Sequence, residues 1–483
     1  MKARLQVMKF GGTSLGDASC LARTAQIIAQ GARSGPCVAV VSAMSGVTNR
    51  LIEAAQRAGS GEKDQGTAVL DSLRKQHAEA LNSLVREDSA RKTIEEEMEE
   101  VFSEGSRLFD GTALLRELTP RTLDAISSLG ERLSAPLVAG AVRELGLQSE
   151  AVDATEVIIT DGFHGGAEPL MDRTREECEV RLRPLLDKGI VPVVTGFIGA
   201  STEGKLTTLG RGGSDYSATI LGAALNADEV IIWTDVDGVL TADPRLVPEA
   251  RTIPVISYRE AAELAFFGAK VLHPKTLKPV MQAAIPVRIR NSFAPERPGT
   301  LITPAGRSTG GGVKALTAIQ DVVLISVGGP GIVGLPDVVG RTFSTTAEVR
   351  ANVLLISQSS SQNDICFIVS ASDAPRTVDA LRREFAQDLA HEKVEHITDD
   401  TNIAIVAVVG ENMRGTPGVA GKAFNALGRE NVNLIAIAQG SSESNISFVV
   451  EEKAMKTALI TTHREFGLGA PANGAILQTS GIN

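Results

Sequence analysis

The sequence is poor in the residues that build disulfide frameworks and metal centres. Its 483 residues include four cysteines (Cys20, Cys37, Cys178, Cys366) with no CxxC pair, and six histidines with no HExxH spacing. That excludes a disulfide scaffold and a zinc ribbon, and fits buried or free thiols in a reducing compartment; no metal-ligand set is expected. A basic surplus is also missing. With 48 Lys and Arg against 58 Asp and Glu, the formal net charge is −10, which leaves nucleic-acid binding without support. No apolar run approaches the ~18 residues of a membrane span, so no membrane partner is expected. The first residues do not read as a signal peptide, because strand-like Leu5–Phe10 runs directly into a glycine turn. The expected location is cytoplasmic. Absent too are the P-loop GxxxxGK[ST], the protein-kinase set of Gly-rich loop, HRD and DFG, and any Ser–His–Asp or Cys–His arrangement.

What is present reads as an ordinary globular chain, 43% apolar and 22% charged, long enough for about two to four domains. Strand-like runs at Leu5–Phe10, Cys37–Ser42, Ile190–Gly196, Glu229–Thr234 and Pro286–Arg290 alternate with helical spacing at Asp17–Ala32, Val47–Ala58 and across 67–117. The acidic run Glu95–Glu100 reads as a solvated helix face. This βαβα rhythm predicts an α/β fold, a mainly parallel sheet sandwiched by helices. At Ala294–Val313 the composition shifts to three prolines and five glycines, marking a boundary. The expected organisation is a first domain over 1–305, a linker over 306–320, and two small domains over 321–395 and 396–483.

The last two domains are copies. Pro336–Val369 aligns without gaps on Pro417–Val450 at a constant offset of 81, with pairs including Gly340/Gly421, Phe343/Phe424, Asn352/Asn433, Ile356/Ile437, Gln358/Gln439, Ile365/Ile446 and Phe367/Phe448. Each copy reads as a βαββα unit, with strands at Val322–Val327 and Ile403–Val409, Val353–Gln358 and Leu434–Gln439, and Ile365–Val369 and Ile446–Val450. Weaker material after each is expected to supply a last strand. Such a pair forms a dimerisation module or a small-ligand sensor. Gly329, Gly331 and Gly334 make a GxGxxG pattern, but no acidic residue ends the next strand, where Ser357 and Gln358 stand, so it is not read as a dinucleotide site.

Chemistry concentrates in the first domain. Lys9-Phe10-Gly11-Gly12-Thr13-Ser14 places an amine and two glycines where a strand passes into a helix, a position at which α/β proteins hold phosphates. Ser42-Ala43-Met44-Ser45-Gly46-Val47-Thr48 is a hydroxylated strand-to-helix loop. Leu209-Gly210-Arg211-Gly212-Gly213-Ser214-Asp215 joins a guanidinium fork to a glycine turn, with Ser214 or Asp215 expected to cap the helix that follows. Thr234-Asp235-Val236-Asp237-Gly238 follows a buried strand and ends in Asp243-Pro244-Arg245; it lacks the closing Glu of a calcium loop. Phe267-Gly268-Ala269-Lys270 adds a second lysine, His273 before Pro274 reads as structural, and Glu131 is expected to open a helix. Lysines, arginines and glycine loops without a nucleophile imply a polyanion and fit phosphoryl transfer, which needs positioning and positive charge.

These segments resemble the aspartate kinases of the amino-acid kinase superfamily. KFGGTS at 9–14, VSAMSGVTN at 41–49, LGE at 129–131, TTLGRGGSDYSA at 207–218, WTDVDGV at 233–239 and FGAKVLHPKTL at 267–277 occur in that family's order, and the repeat resembles its tandem βαββαβ ACT regulatory domains. The resemblance implies transfer of the γ-phosphoryl of ATP, with Mg²⁺ carried by the nucleotide, to the β-carboxylate of L-aspartate, the first step of lysine, threonine and methionine biosynthesis. It implies that Lys9 neutralises the migrating group and that Asp215 orders Lys9. Gly11, Gly12 and Thr13 would cradle phosphate, while Thr234, Asp235, Arg245 and Lys270 line the nucleotide site. Arg211, Gly212, Gly213, Ser214, Glu131, Ser42 and Thr48 would hold aspartate. Leu240 stands where relatives often have Tyr near the adenosine. Gln358, Asn433, Gln439 and Asn445 are the implied allosteric positions, with threonine the favoured inhibitor and lysine the second. The ACT pair implies a homodimer or a dimer of dimers. With the last residue at Asn483, the homoserine dehydrogenase that some relatives append is not expected. The competing readings are a non-catalytic amino-acid sensor on a kinase scaffold and a related small-carboxylate kinase.

Overall fold

The computed structural model describes residues 4–267, 272–306, 312–329, 336–358, 364–413, 415–440 and 444–469. The chain divides into two compact units. One is drawn from Met1–Val239, Thr252–Ala262 and Lys270–Arg307, and the other from Leu240–Arg251, Glu263–Ala269 and Ser308–Asn483.

In the first unit, eight strands form one sheet in the order Ser149–Val152, Val191–Thr195, Cys37–Val41, Gln6–Phe10, Glu229–Thr234, Val287–Asn291, Thr300–Thr303, Val255–Ser257. The first six run parallel, and only the pairing of Val287–Asn291 with Thr300–Thr303 is antiparallel. The central strands are apolar without alternation because helices cover both faces; every residue of Cys37–Val41 is buried. Each fully buried Val or Ile there contributes roughly 1.5–3 kcal/mol relative to exposure. Asp17 starts the helix Ala18–Ser34 by accepting the Cys20 amide at 2.9 Å, and Leu21, Ala25 and Ile28 face the core as their spacing predicts.

Two expectations are corrected here. Glu131 does not open a helix. Thr119 accepts the Thr122 amide and Pro120 takes the first turn, so the helix spans Pro120–Glu144 and Glu131 lies in its buried middle. The helix after Arg211 starts at Gly213, with Gly212 at its N-cap and no side-chain cap from Ser214 or Asp215. Gly212 sits at φ +69°, a left-handed conformation that replaces the capping side chain by a backbone turn.

The second unit is a six-stranded antiparallel sheet in the order Val353–Gln358, Asp364–Ser370, Ala315–Gly328, His396–Val409, Asn445–Glu451, Ala436–Ala438. The repeat is physical as well as textual. Phe343 meets Phe367 edge-on at 5.5 Å between ring centres, and Phe424 meets Phe448 at 6.0 Å in the equivalent place. The two long strands cross the repeats. Val322–Gly328 pairs with the first half of His396–Val409, which supplies the first repeat's last strand, and Ala315–Ile319 pairs with Ile405–Val409 beside the second repeat. The expected linker over 306–320 is therefore strand from Ala315 onward, and the second repeat takes its neighbour from before the first repeat. The register shifts between Ile319 and Val322, where Asp321 adopts φ +56°. The expected strand Leu434–Gln439 is shorter, Ala436–Ala438.

Leu240–Arg251 joins this unit because Ala242 and Val247 bury with Leu316, Val406, Phe448 and Leu459, and Thr241 Oγ1 lies 2.9 Å from His463 Nε2. Composition cannot reveal such a detour, since the segment precedes the glycine-rich boundary by some 50 residues in the numbering. No helix among the described residues is long and apolar enough to cross a membrane.

Because the two repeats share one sheet, they are expected to unfold together. Phe367→Ala and Phe448→Ala should each lower the same transition of this unit, by about 3–5 kcal/mol. Urea titration followed at both repeats tests this, and a transition that splits in either variant is the contrary result.

Candidate active site

Parallel pairing aligns the strand ends. Phe10 sits opposite Val41 and Trp233, and Val41 opposite Thr195, so the segments that follow these strands leave one edge of the sheet in one row. The chain turns from the central strand to Cys37–Val41 on one side, while Glu229–Thr234 lies on the other, which makes this a switch point at the carboxyl edge.

A cavity of about 760 Å³ opens there. Lys9, Gly11, Gly12, Thr13, Ser42, Thr48, Glu131, Arg211, Gly212, Gly213, Ser214, Asp215, Thr234 and Asp235 all line it. Two helices, Val47–Gly59 and Gly213–Ala224, begin at its wall, so the positive ends of their dipoles lie beside it. Lys9 is 8% exposed, and its Nζ lies 2.5 Å from Asp215 Oδ1. Asp215 is in the first turn of its helix, where the dipole also favours the carboxylate. Glu131 is 3% exposed, and one of its oxygens has no hydrogen-bond partner among the described residues. Burial pushes its carboxyl up to about 8, against the opposing pull of the Ala43 backbone and the Lys9 charge.

Two expected nucleotide residues are not among those that line the cavity. Arg245 belongs to the second unit, where its Nη2 lies 2.6 Å from Asp243 Oδ2. Lys270 lies outside the described residues. His273 caps the helix Pro274–Ala283 through its ring nitrogen, the structural role its sequence position implies. Gln358, Asn433 and Gln439 are exposed, at or near the ends of the outer strands, while Asn445 donates to Glu263. Gly331, Gly334 and the serines beside Gln358 and Gln439 lie outside the described residues.

Residues 4–291 match the model of the amino acid kinase family, and 325–385 and 406–466 match an ACT domain model, at the same spacing as the repeat. Aspartokinase 1 of Arabidopsis thaliana, a chloroplastic protein, is 33% identical over 95% of this chain and 80% of its own length. The chain belongs to the amino acid kinase family, among the aspartokinases. Escherichia coli aspartokinase III has the same fold at 31% identity. Its complex with aspartate and ADP superposes with a TM-score of 0.78, covering 95% of this chain and 99% of that one. Its complex with lysine and aspartate gives 0.77 over 96% and 99%. The bifunctional aspartokinase/homoserine dehydrogenase of Daucus carota is 35% identical over 96% of this chain. The chain spans about half the length of such bifunctional relatives, 51% in that case.

Some wall residues were not singled out in the sequence. Asp124, Ser127, Gly165, Phe197 and Thr208 line the cavity and were not anticipated. Asp124 stands seven residues before Glu131, two turns along one helix face, a spacing that was available as a signal. Phe197 comes two residues after the end of the strand Val191–Thr195.

Glu131→Gln tests the electrostatics of the wall. The folded carboxyl titrates near 8 against an ordinary 4.5, so the native state holds the extra proton between those values and wild-type stability falls as pH rises through that window. Gln does not titrate. The melting temperature of the Gln variant should therefore gain on wild type from pH 5 to pH 8 and hold its lead above that; a pH-independent difference would contradict the burial argument.

Proposed function

We propose that this cavity transfers the γ-phosphoryl of ATP to the β-carboxylate of L-aspartate, giving β-aspartyl phosphate and ADP, the entry step to lysine, threonine and methionine biosynthesis. The carrying observation is that the Lys9–Asp215 pair shares one cavity with helix N-termini, Arg211 and the buried Glu131. Arg211 forks onto the substrate α-carboxylate, and Glu131 accepts its ammonium, with Ser42, Thr48 and Ser214 completing the pocket. Because Glu131 holds a proton near neutral pH in the empty cavity, taking up the ammonium releases that proton. The β-carboxylate needs no general base, since it is ionised at neutral pH. One of its oxygens bonds to the γ-phosphorus as the bond from that phosphorus to the ADP oxygen breaks.

Lys9 offsets charge on the migrating group, and Asp215 keeps the amine in place. The N–H groups at Gly11, Gly12 and Thr13 hold phosphate oxygens, while Thr234 and Asp235 face the nucleotide. The nucleotide would carry Mg²⁺ on its phosphates and water. That ion's chemistry is to neutralise the β- and γ-oxygens. ADP and aspartate in the Escherichia coli complex support this assignment of substrates.

The ACT pair takes an amino-acid effector. Gln358 and Gln439, at equivalent exposed strand ends, favour threonine, and the lysine complex of Escherichia coli aspartokinase III makes lysine the alternative. The assembly that carries this regulation is a homodimer, or a dimer of dimers, through the ACT sheets.

An ADP-release assay with aspartate decides the chemistry. Lys9→Ala should reduce kcat by about 10³-fold or more while the fold persists; a near-normal rate removes Lys9 from the mechanism. In the same assay, threonine at millimolar concentration should lower the rate or the apparent aspartate affinity, and Gln439→Ala should weaken that response. Inhibition by lysine alone would reassign the effector.

A further inference from the structure

Asp124 is 2% exposed, on the helix Pro120–Glu144, and its carboxylate receives hydrogen bonds from two separate loops. His164 Nδ1 approaches Oδ2 at 2.8 Å, and the carboxylate selects the tautomer that donates from that nitrogen. The Gly165 amide reaches both oxygens at 3.1 Å, and Thr208 Oγ1 donates to Oδ1 at 2.5 Å. Both oxygens are thus engaged by protein donors, three in all, which ties this carboxylate to backbone and side chains of the wall.

The two loops it grips meet at Arg211. Gly210 has φ +78°, and a Cβ there would lie 3.1 Å from the Gly165 carbonyl oxygen, so residues 162–166 pack directly on the residue before Arg211. Thr208 lies three residues before Arg211, and its carbonyl accepts the Ala167 amide at 2.9 Å, tying the same loops a second time. Arg211 itself is exposed. Its aim is therefore set by the backbone that carries it, and that backbone is anchored to one carboxylate.

We infer that Asp124 is a positioning residue that holds the 162–166 and 208–211 loops together and so aims Arg211 at the α-carboxylate of the amino-acid substrate. This rests on the proposed aspartate site. Without the anchor the loops gain freedom, and the guanidinium pays for its alignment at each binding event. The loss falls on substrate capture, because Lys9 and Asp215 lie on other elements, the strand Gln6–Phe10 and the helix Gly213–Ala224.

The experiment compares wild type with Asp124→Asn and Thr208→Val in two readouts. Hydrogen exchange in the unliganded protein should accelerate at the amides of 161–167 by about tenfold or more in Asp124→Asn, the loss of a bond to a charged acceptor. In steady-state kinetics the KM for aspartate should rise about tenfold, with the KM for ATP within twofold and kcat reduced less than threefold. Thr208→Val, which removes one donor and leaves the carboxylate, should move the aspartate KM about threefold in the same direction, and it decides the matter if Asp124→Asn does not fold. Wild-type exchange at 161–167, or an unchanged aspartate KM in a folded variant, overturns the inference, as does a loss confined to kcat. If wild type shows no aspartate-dependent turnover, the proposed function fails by itself, and exchange alone then decides the role of Asp124.

Discussion

The pairing of Gln6–Phe10 between Cys37–Val41 and Glu229–Thr234 is the constraint on which the rest of the first unit depends. Two parallel ladders joining three strands in fixed register bring the strands' last residues to one level, and whatever follows each strand must occupy the same edge. A slip of one residue would turn Lys9 from the cavity to the opposite face. The apolar, unalternating composition of these strands secures the register by burying both faces at once.

On that edge the chain concentrates groups that a core would avoid. A buried ion pair such as Lys9–Asp215 contributes little net stability, since desolvation offsets most of the attraction. Glu131 carries a destabilising burial with only partial compensation. Asp124 is the contrasting case, a buried carboxylate with protein donors on both oxygens. Within one cavity wall, then, some polar groups are unsatisfied or mutually paired, and another is held by protein donors on both oxygens. Stability supplied by the surrounding apolar sheet makes this arrangement tolerable.

Much of this was legible in the sequence where chemistry and local structure coincide in one short segment. Lys9 with Gly11 and Gly12, and Arg211 with Gly212, Gly213 and Asp215, announce themselves because a strand-to-helix turn and its charged residue are contiguous. Asp124 and Thr208 do not, because their significance arises only when residues 84 positions apart meet. Glu131 was found by its segment but misplaced within its helix, since Gly130 reads locally as a boundary although the helix runs through it. The segment Leu240–Arg251 illustrates a different blindness. Its neighbourhood spells a loop after a strand, yet the hydrophobic partners of Ala242 and Val247 come from the second unit, and nothing nearby in the chain names them. The repeats were visible through the recurrence at offset 81, while the exchange of strands between them was not, because register between distant strands leaves no trace in either one alone.

That exchange has a consequence for how the C-terminal unit is built. Ala315–Ile319 borders the second copy, and the His396–Asp400 stretch borders the first, so each copy borrows its fourth strand from chain lying beyond its own repeat. Cutting the polypeptide between the copies would orphan a row of backbone donors and acceptors on both fragments. The two copies thus make a single object with no internal seam, and neither can be transplanted without taking the other along.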